Sequence, residues 1–217
     1  VLADMGAETA MHYAADITRT WPVDGSFTQQ QKEIYQIVLD AQLAGIAAMR
    51  PGLRNLDAHL LAAKVITNGL KSLGLMQGDT DEIVHSGAHA LFFPHGLGHM
   101  IGLDVHDMED LGEKYTGYHE GLERSTQFGL KSLRMARTLE PGFVMTIEPG
   151  IYFIPELIDR WQQEGRFNQY INYAALAAYR GFSGIRIEDD VLVTQDEPRV
   201  LGPGIPKEIG EIEALRS

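Results

Sequence analysis

Three histidines and two aspartates fall within the fifteen residues from Phe93 to Asp107: His95, His99, His106, Asp104 and Asp107, interleaved with Pro94, Gly96, Gly98 and Gly102. His95 and His99 stand four residues apart, the spacing that places two metal ligands on one face of a helix. Pro94, Gly96 and Gly98 weaken helical backbone at just these positions. An irregular glycine-rich turn is predicted instead, one that lets the backbone pass close to a ligand. The cluster is either a site or a set of ordinary loop and core histidines, and acidic partners elsewhere in the chain decide which.

Four carboxylates stand in or beside predicted strands: Asp4, Asp16, Glu148 and Glu188. Asp4 and Asp16 belong to two short apolar segments, residues 1–8 and 13–21, whose separation suits a hairpin turning at Thr9 to His12. Each aspartate either points outward into solvent or has a partner inside. Glu148 lies where Pro149-Gly150 interrupts the strand 142–153, a place where a side chain can be re-aimed. Glu188 lies within 184–193, whose alternation sets Ile185, Ile187, Asp189 and Val191 on one face and Arg186, Glu188, Asp190 and Leu192 on the other. That second face is either solvated or a buried carboxylate held by an arginine. Burying four uncompensated negative charges together would cost more than a domain's net stability of ~5–15 kcal/mol. They must be exposed, be partly protonated, or share cations; two divalent cations would cancel them, with one neutral histidine completing the shell. This balance suits a hydrolytic two-metal site with ions ~3.5–4 Å apart. Oxygen-rich ligation with one imidazole and no thiolate suits Mn, Co, Zn or Fe(II) without choosing among them.

The remaining elements must hold these groups. Thr28 and Gln31 form a capping box for a helix whose apolar positions run from Ile34 to Ala48 and which ends at Pro51-Gly52. A second helix runs from about Asn55 to Gly74. Both are read as packing against a sheet, and His59 on the second as a surface residue. Residues 76–90 read as an acidic loop, 108–130 as a long functional or mobile loop, 156–180 as patchy helix, and 207–216 as a closing helix. The 217 residues contain no cysteine and carry a net charge of −12. Disulfides and thiolate chemistry are thereby excluded, and binding to nucleic acid or anionic membrane is disfavoured. No apolar run is long enough for a membrane span and no signal peptide is visible, so a cytoplasmic location is expected. One domain, residues 1–217, is expected, and the start at Val1 suggests a piece of something longer.

Five stretches, in order, resemble the catalytic domain of the prolidase and aminopeptidase P family, the pita-bread metallopeptidases. They are Asp4-Met5-Gly6-Ala7-Glu8, Asp16 to Pro22, His95-Gly96-Leu97-Gly98-His99 with Leu103 to Asp107, Thr146 to Gly150, and Arg186 to Asp190. The resemblance implies an α+β fold, a curved antiparallel sheet covered by helices with a dinuclear metal site inside. It implies two divalent ions, manganese first, with cobalt, zinc or iron as alternatives. Asp4 would hold one ion, Asp16 and Glu188 would bridge both, and His99 and Glu148 would complete the other shell. Glu148 would also accept a proton from the attacking water. His95 and His106 would face the substrate and stabilise the tetrahedral intermediate, and Arg186 would orient the carboxylates.

The same resemblance bears on substrate. Residues 129–137 resemble the prolidase stretch whose arginine binds a dipeptide's free carboxylate, which would be Arg134; otherwise Arg134 is a surface residue in a basic run. The 40 residues between Glu148 and Glu188 resemble the prolidase insertion. An Xaa-Pro dipeptidase is therefore expected, with Xaa-Pro aminopeptidase acting on longer proline-containing peptides as the alternative. A non-catalytic peptide-binding member is the rival from another class. Asp4 and Asp16 are twelve residues apart, one more than is usual in the family, so the hairpin turn must absorb a residue. The family's N-terminal domain and the opening of its catalytic domain would be missing, which makes the N-terminal part of the same protein a partner; a homodimer is also expected.

Overall fold

Strands β1 (Leu2–Met5) and β2 (Ile17–Thr20) pair antiparallel, with Asp4 opposite Thr18. The structure, a computed structural model, describes residues 1–119 and 121–216. The β1–β2 register continues unchanged to a bridge between Glu8 and Ala14, so the chain reverses within residues 9–13, as the hairpin prediction requires. Asp16 lies just before β2 rather than inside a strand.

Helix α1 (Gln29–Ala47) begins at the predicted capping box, with Thr28 and Gln31 each bonding the other's backbone. It packs on α2 (Asn55–Ser72) through Ile34, Val38 and Ala41 on one side and Ala58, Ala62 and Ile66 on the other, all fully buried. At Gly69 a Cβ would stand 2.5 Å from Ile37, so a larger residue there would push the helices apart. Two expectations fail in this layer. His59 is not on the surface: it is 1% exposed, and its ring lies 5.2 Å from that of Phe93. Its position on α2 falls on the stripe that meets the core. Residues 76–90 are not a loop. Asp79 caps helix α3 (Thr80–Ser86) by accepting from the Asp81 and Glu82 amides, Gly87 ends it in the left-handed conformation, and a 3₁₀ turn follows at Ala88–Leu91. The short helix buries only Ile83 and Val84, too little apolar pattern for periodicity to detect.

Among its described residues the segment 108–130 is mostly irregular, as expected, with a 3₁₀ turn at Glu109–Leu111 and a helical turn α4 (Glu113–Thr116). Beyond it come β3 (Val144–Ile147), β4 (Gly150–Phe153), α5 (Pro155–Gln163), α6 (Tyr173–Leu176), β5 (Ser183–Arg186), β6 (Asp189–Leu192), β7 (Arg199–Val200) and α7 (Ile209–Arg216). The predicted continuous strand 184–193 is broken at Ile187-Glu188: β5 pairs with β4, and β6 with β3 and β7. Its two faces follow the alternation. Ile185, Ile187, Asp189 and Val191 point to the core under α1, where Asp189 is paired with Arg19 (2.6 Å) and Lys207 (2.7 Å) and accepts from Gln42 (2.7 Å). The other face is not solvated, since Glu188 is 1% and Asp190 5% exposed. Further hydrogen bonds join Glu188 N to Thr18 O and Thr146 N to His99 O. The strands thus make three small antiparallel sheets, β1–β2, β3–β6–β7 and β4–β5, joined side by side through these contacts, with α1 packed on β3, β4 and β5. No described helix is long and apolar enough to cross a membrane.

Candidate metal centre

The histidine segment is irregular before Leu97 and bends again over residues 102–106, with its middle extended. From Leu97 it runs extended along the open edge of β3, with amide bonds from Thr146 to His99 O, from Glu148 to Leu97 O and from Ile101 to Val144 O. Gly98 is required by this contact: a Cβ there would stand 1.7 Å from the Thr146 carbonyl oxygen. The Thr146 hydroxyl accepts from His99 N (3.0 Å) and donates to Glu148 (3.3 Å). His99 Nδ1 donates to Met100 O at 3.0 Å, which leaves Nε2 facing the carboxylates of Asp16 and Glu148, each 3.6 Å away. A backbone bond on one nitrogen that presents the other is how ligating imidazoles are held.

The breaks in β3–β4 and β5–β6 align. Ile147 is opposite Asp189 and Gly150 opposite Arg186 in one common register, which sets Glu148 opposite Glu188. Thr18 donates to Glu188 at 2.5 Å. Arg186 lies behind both glutamates, its Nε 4.0 Å from Glu148 and 3.9 Å from Glu188, while its other nitrogens reach Asp4 (2.5 Å) and the Tyr152 hydroxyl (3.1 Å).

All nine residues singled out in the sequence line one cavity of about 240 Å³, together with Gly96, Gly98 and Ser132. Asp16, His99 and Glu188 form the tight group, with one ligand atom from each lying within 4.8 Å of the others. Glu148 borders it. Asp4 is about half exposed and turned toward Arg186. His106 packs edge-on against His99 at 4.5 Å. Both ring nitrogens of His95 are engaged, by Gly96 O and the Tyr152 hydroxyl. Arg134 reaches the cavity but is paired with Glu109 and Glu113.

The electrostatics are those of a cation site. Burial, followed for Glu188 by the charge of Glu148, pushes Glu148 up to about 7 and Glu188 up to about 8. Burial also raises Asp190, to about 6, and Asp4, the latter with help from Asp16. At Asp16 burial acts upward, but hydrogen bonding to His99 and Asp4 outweighs it and the carboxyl is lowered. Burial pushes His95 down to about 4, so it is neutral. A largely buried, acceptor-rich set of carboxylates gathered on the Nε2 of one imidazole fits divalent cations and lacks the softness selected by thiolate sites. The supporting groups Thr18, Thr146 and Tyr152 escaped sequence reasoning, since a threonine or tyrosine in a strand carries no signal beyond strand propensity.

A concave antiparallel surface with carboxylates and an imidazole on its inner face defines the pita-bread class, and the solved relatives agree. Escherichia coli aminopeptidase P with the inhibitor Pro-Leu matches at a TM-score of 0.74 and 38% identity, over 99% of this chain and 40% of that one. The chain belongs to metallopeptidase family M24, whose model matches residues 1–195. The human Xaa-Pro dipeptidase is 43% identical over 213 residues, covering 98% of this chain and 41% of the relative. A probable Xaa-Pro aminopeptidase of Sordaria macrospora is 40% identical over 215 residues, covering 99% and 44%. The chain thus spans about two fifths of the length of the relatives it matches.

Proposed function

We propose that these residues form the metal-binding part of an exopeptidase that hydrolyses the bond before proline, with Xaa-Pro dipeptides as preferred substrates. The observation that carries the reading is the common register that sets Glu148 opposite Glu188 beside Asp16 and His99. The similarity to an Xaa-Pro dipeptidase and the presence of Arg134 in the same cavity favour a dipeptide. In this reading Asp4, Asp16, His99, Glu148 and Glu188 hold two divalent ions. Manganese, a homodimer and the N-terminal part of the same protein as partner are taken from the family resemblance, and residues 1–217 as a single unit and a cytoplasmic location from the sequence itself.

When bound, the ions supply Lewis acidity and lower the pKa of water toward neutrality. The chain's own groups do the rest. Glu148, bordering the group formed by Asp16, His99 and Glu188, accepts a proton from the attacking water at its carboxylate. His106, the more exposed of the two helper histidines, reaches the scissile carbonyl. His95, neutral and tied to Tyr152, forms the wall beside it. Arg186 holds the glutamates in place from behind.

The test is steady-state kinetics of the full-length protein with manganese supplied, comparing Ala-Pro with an Ala-Pro-Xaa tripeptide. Faster turnover of the tripeptide makes the protein an Xaa-Pro aminopeptidase. Hydrolysis of neither, with less than one metal bound per chain, makes it a peptide-binding member of the fold.

A further inference from the structure

The carboxylate-recognising role of Arg134 is opposed by the residues around it. Arg134 NH1 lies 2.5 Å from Glu109 and 3.4 Å from Glu113, and Glu113 is in turn paired closely with Arg124. Two arginines and two glutamates make a group without net charge. Its position is built in. Glu109 follows His106 by three residues, donates its amide to the His106 carbonyl, and opens a 3₁₀ turn after Met108, which is held at φ 60°. The turn bearing Glu113 lies directly on the Arg134 backbone: a Cβ on Gly117 would stand 2.0 Å from the Arg134 carbonyl oxygen, and Ala136 donates to Gly117 O. The Glu109 side chain is 17% exposed against 37% for Arg134, so the pair is partly shielded from water.

Building on the proposed peptidase reading, we infer that Glu109 is a specificity-determining residue that neutralises Arg134 and so lowers the preference for a substrate with a free C-terminal carboxylate. An incoming carboxylate meets a guanidinium already paired, with a like charge beside it. A peptide whose proline continues into an amide forfeits nothing there. Specificity is the difference between these two cases, and an acid beside a clamp reduces it.

The experiment measures kcat/KM for Ala-Pro and for Ala-Pro amide, which differ in that charge, on the full-length protein and its Glu109→Gln variant. Removing the competing charge is expected to raise the dipeptide-to-amide ratio roughly three- to tenfold, mainly through a lower KM for the dipeptide. In an Arg134→Gln background the same substitution should leave the ratio unchanged. A ratio that stays level or falls in Glu109→Gln overturns the inference, because Glu109 would then simply hold Arg134 in place. If Glu109→Gln does not fold, Glu113→Gln should shift the ratio in the same direction by less. If the parent protein hydrolyses neither compound, the peptidase reading fails. Calorimetric binding of the two compounds to parent and variant then reads the same ratio and decides on Glu109 independently.

Discussion

Glu148 and Glu188 face each other across a single antiparallel register, although 40 residues separate them. Each sits in the gap between two short strands, and the two gaps coincide. The ladder is therefore interrupted at the point where two carboxylates must turn inward. Among the described residues the cationic groups beside them are few: Arg186 Nε, 4.0 Å from one and 3.9 Å from the other, is also committed to Asp4 and Tyr152, and His99 Nε2 lies 3.6 Å from Glu148. The site is organised for positive charge that the protein does not itself provide.

One consequence is a pH dependence in the metal-free protein. Glu148 and Glu188 stand at about 7 and about 8 when folded, above the unfolded value of ~4.3. The folded state holds their protons longer, so their contribution is full at acidic pH and is lost as pH rises through 7 and 8. Buried His59 and His89 act in the opposite sense. Burial lowers them to about 3 and about 4, so their contribution is complete above ~6.5 and lost below it. Above about pH 6.5 the slope comes from these carboxylates and from His99, which burial pulls down but hydrogen bonding to Asp16 raises, and all act in the same direction. Thermal melts of metal-free protein should show Tm falling from about pH 6.5 to 8.5, and added manganese should raise Tm more at the upper end. A metal-free Tm that holds steady or rises over that range contradicts the account.

Thr18→Val tests the support beneath Glu188. The substitution keeps the side chain's shape and its place in β2 but removes the donor to Glu188 and leaves Arg186 Nε without its 3.2 Å acceptor. Metal affinity measured by titration should drop about 10–100-fold, the usual cost of losing such a partner. Stability should fall by about 1–3 kcal/mol. Unchanged metal affinity would mean that the hydroxyl serves the fold alone.

Much of this was legible in the sequence, and what was not has local causes. The capping box at Thr28, the turn at residues 9–13 and the break at Pro149 each rest on chemistry confined to a few neighbouring residues, and the structure has them. The alternation in 184–193 correctly divided its two faces. It could not reveal the break before Asp189, because residues in a broken strand continue to alternate as in an intact one. The pairing of Glu148 with Glu188 is a register, set by contacts far apart in sequence. Helix α3 does carry end signals, Asp79 before it and Gly87 after it, but its two buried residues are too few for periodicity to support them. His59 lies on the buried stripe of α2 although its residue type pointed to the surface. Glu109 read as one acid among several in a charged loop, and its contact with Arg134 emerges from the backbone fit at Gly117.

Gly98→Ala should disable the centre without touching any charged group. The added Cβ would fall 1.7 Å from Thr146 O, and backbone cannot yield as a flexible side chain can. The 97–101 segment would have to lift from β3, carrying His99 Nε2 away from Asp16 and Glu188. A loss of about 1–3 kcal/mol is expected from the strain, with metal binding reduced more severely than in Thr18→Val. Near-normal metal content by elemental analysis would show that the segment can shift without moving the imidazole.

His59→Leu should behave unlike most core substitutions. The imidazole is fully buried behind Phe93, and among the described residues neither ring nitrogen has a hydrogen-bond partner. A buried polar group without a partner keeps its desolvation cost, and replacing it by an apolar group of similar size is close to neutral or stabilising. Urea unfolding at about pH 7 should therefore give a stability within ~1 kcal/mol of the parent, or higher. At about pH 5 the variant should gain relative to the parent, because the unfolded parent takes up a proton on His59 that its folded state refuses. A loss above ~2 kcal/mol at neutral pH would reveal a hydrogen bond to an enclosed water, and with it a structural reason for a histidine at this position of α2.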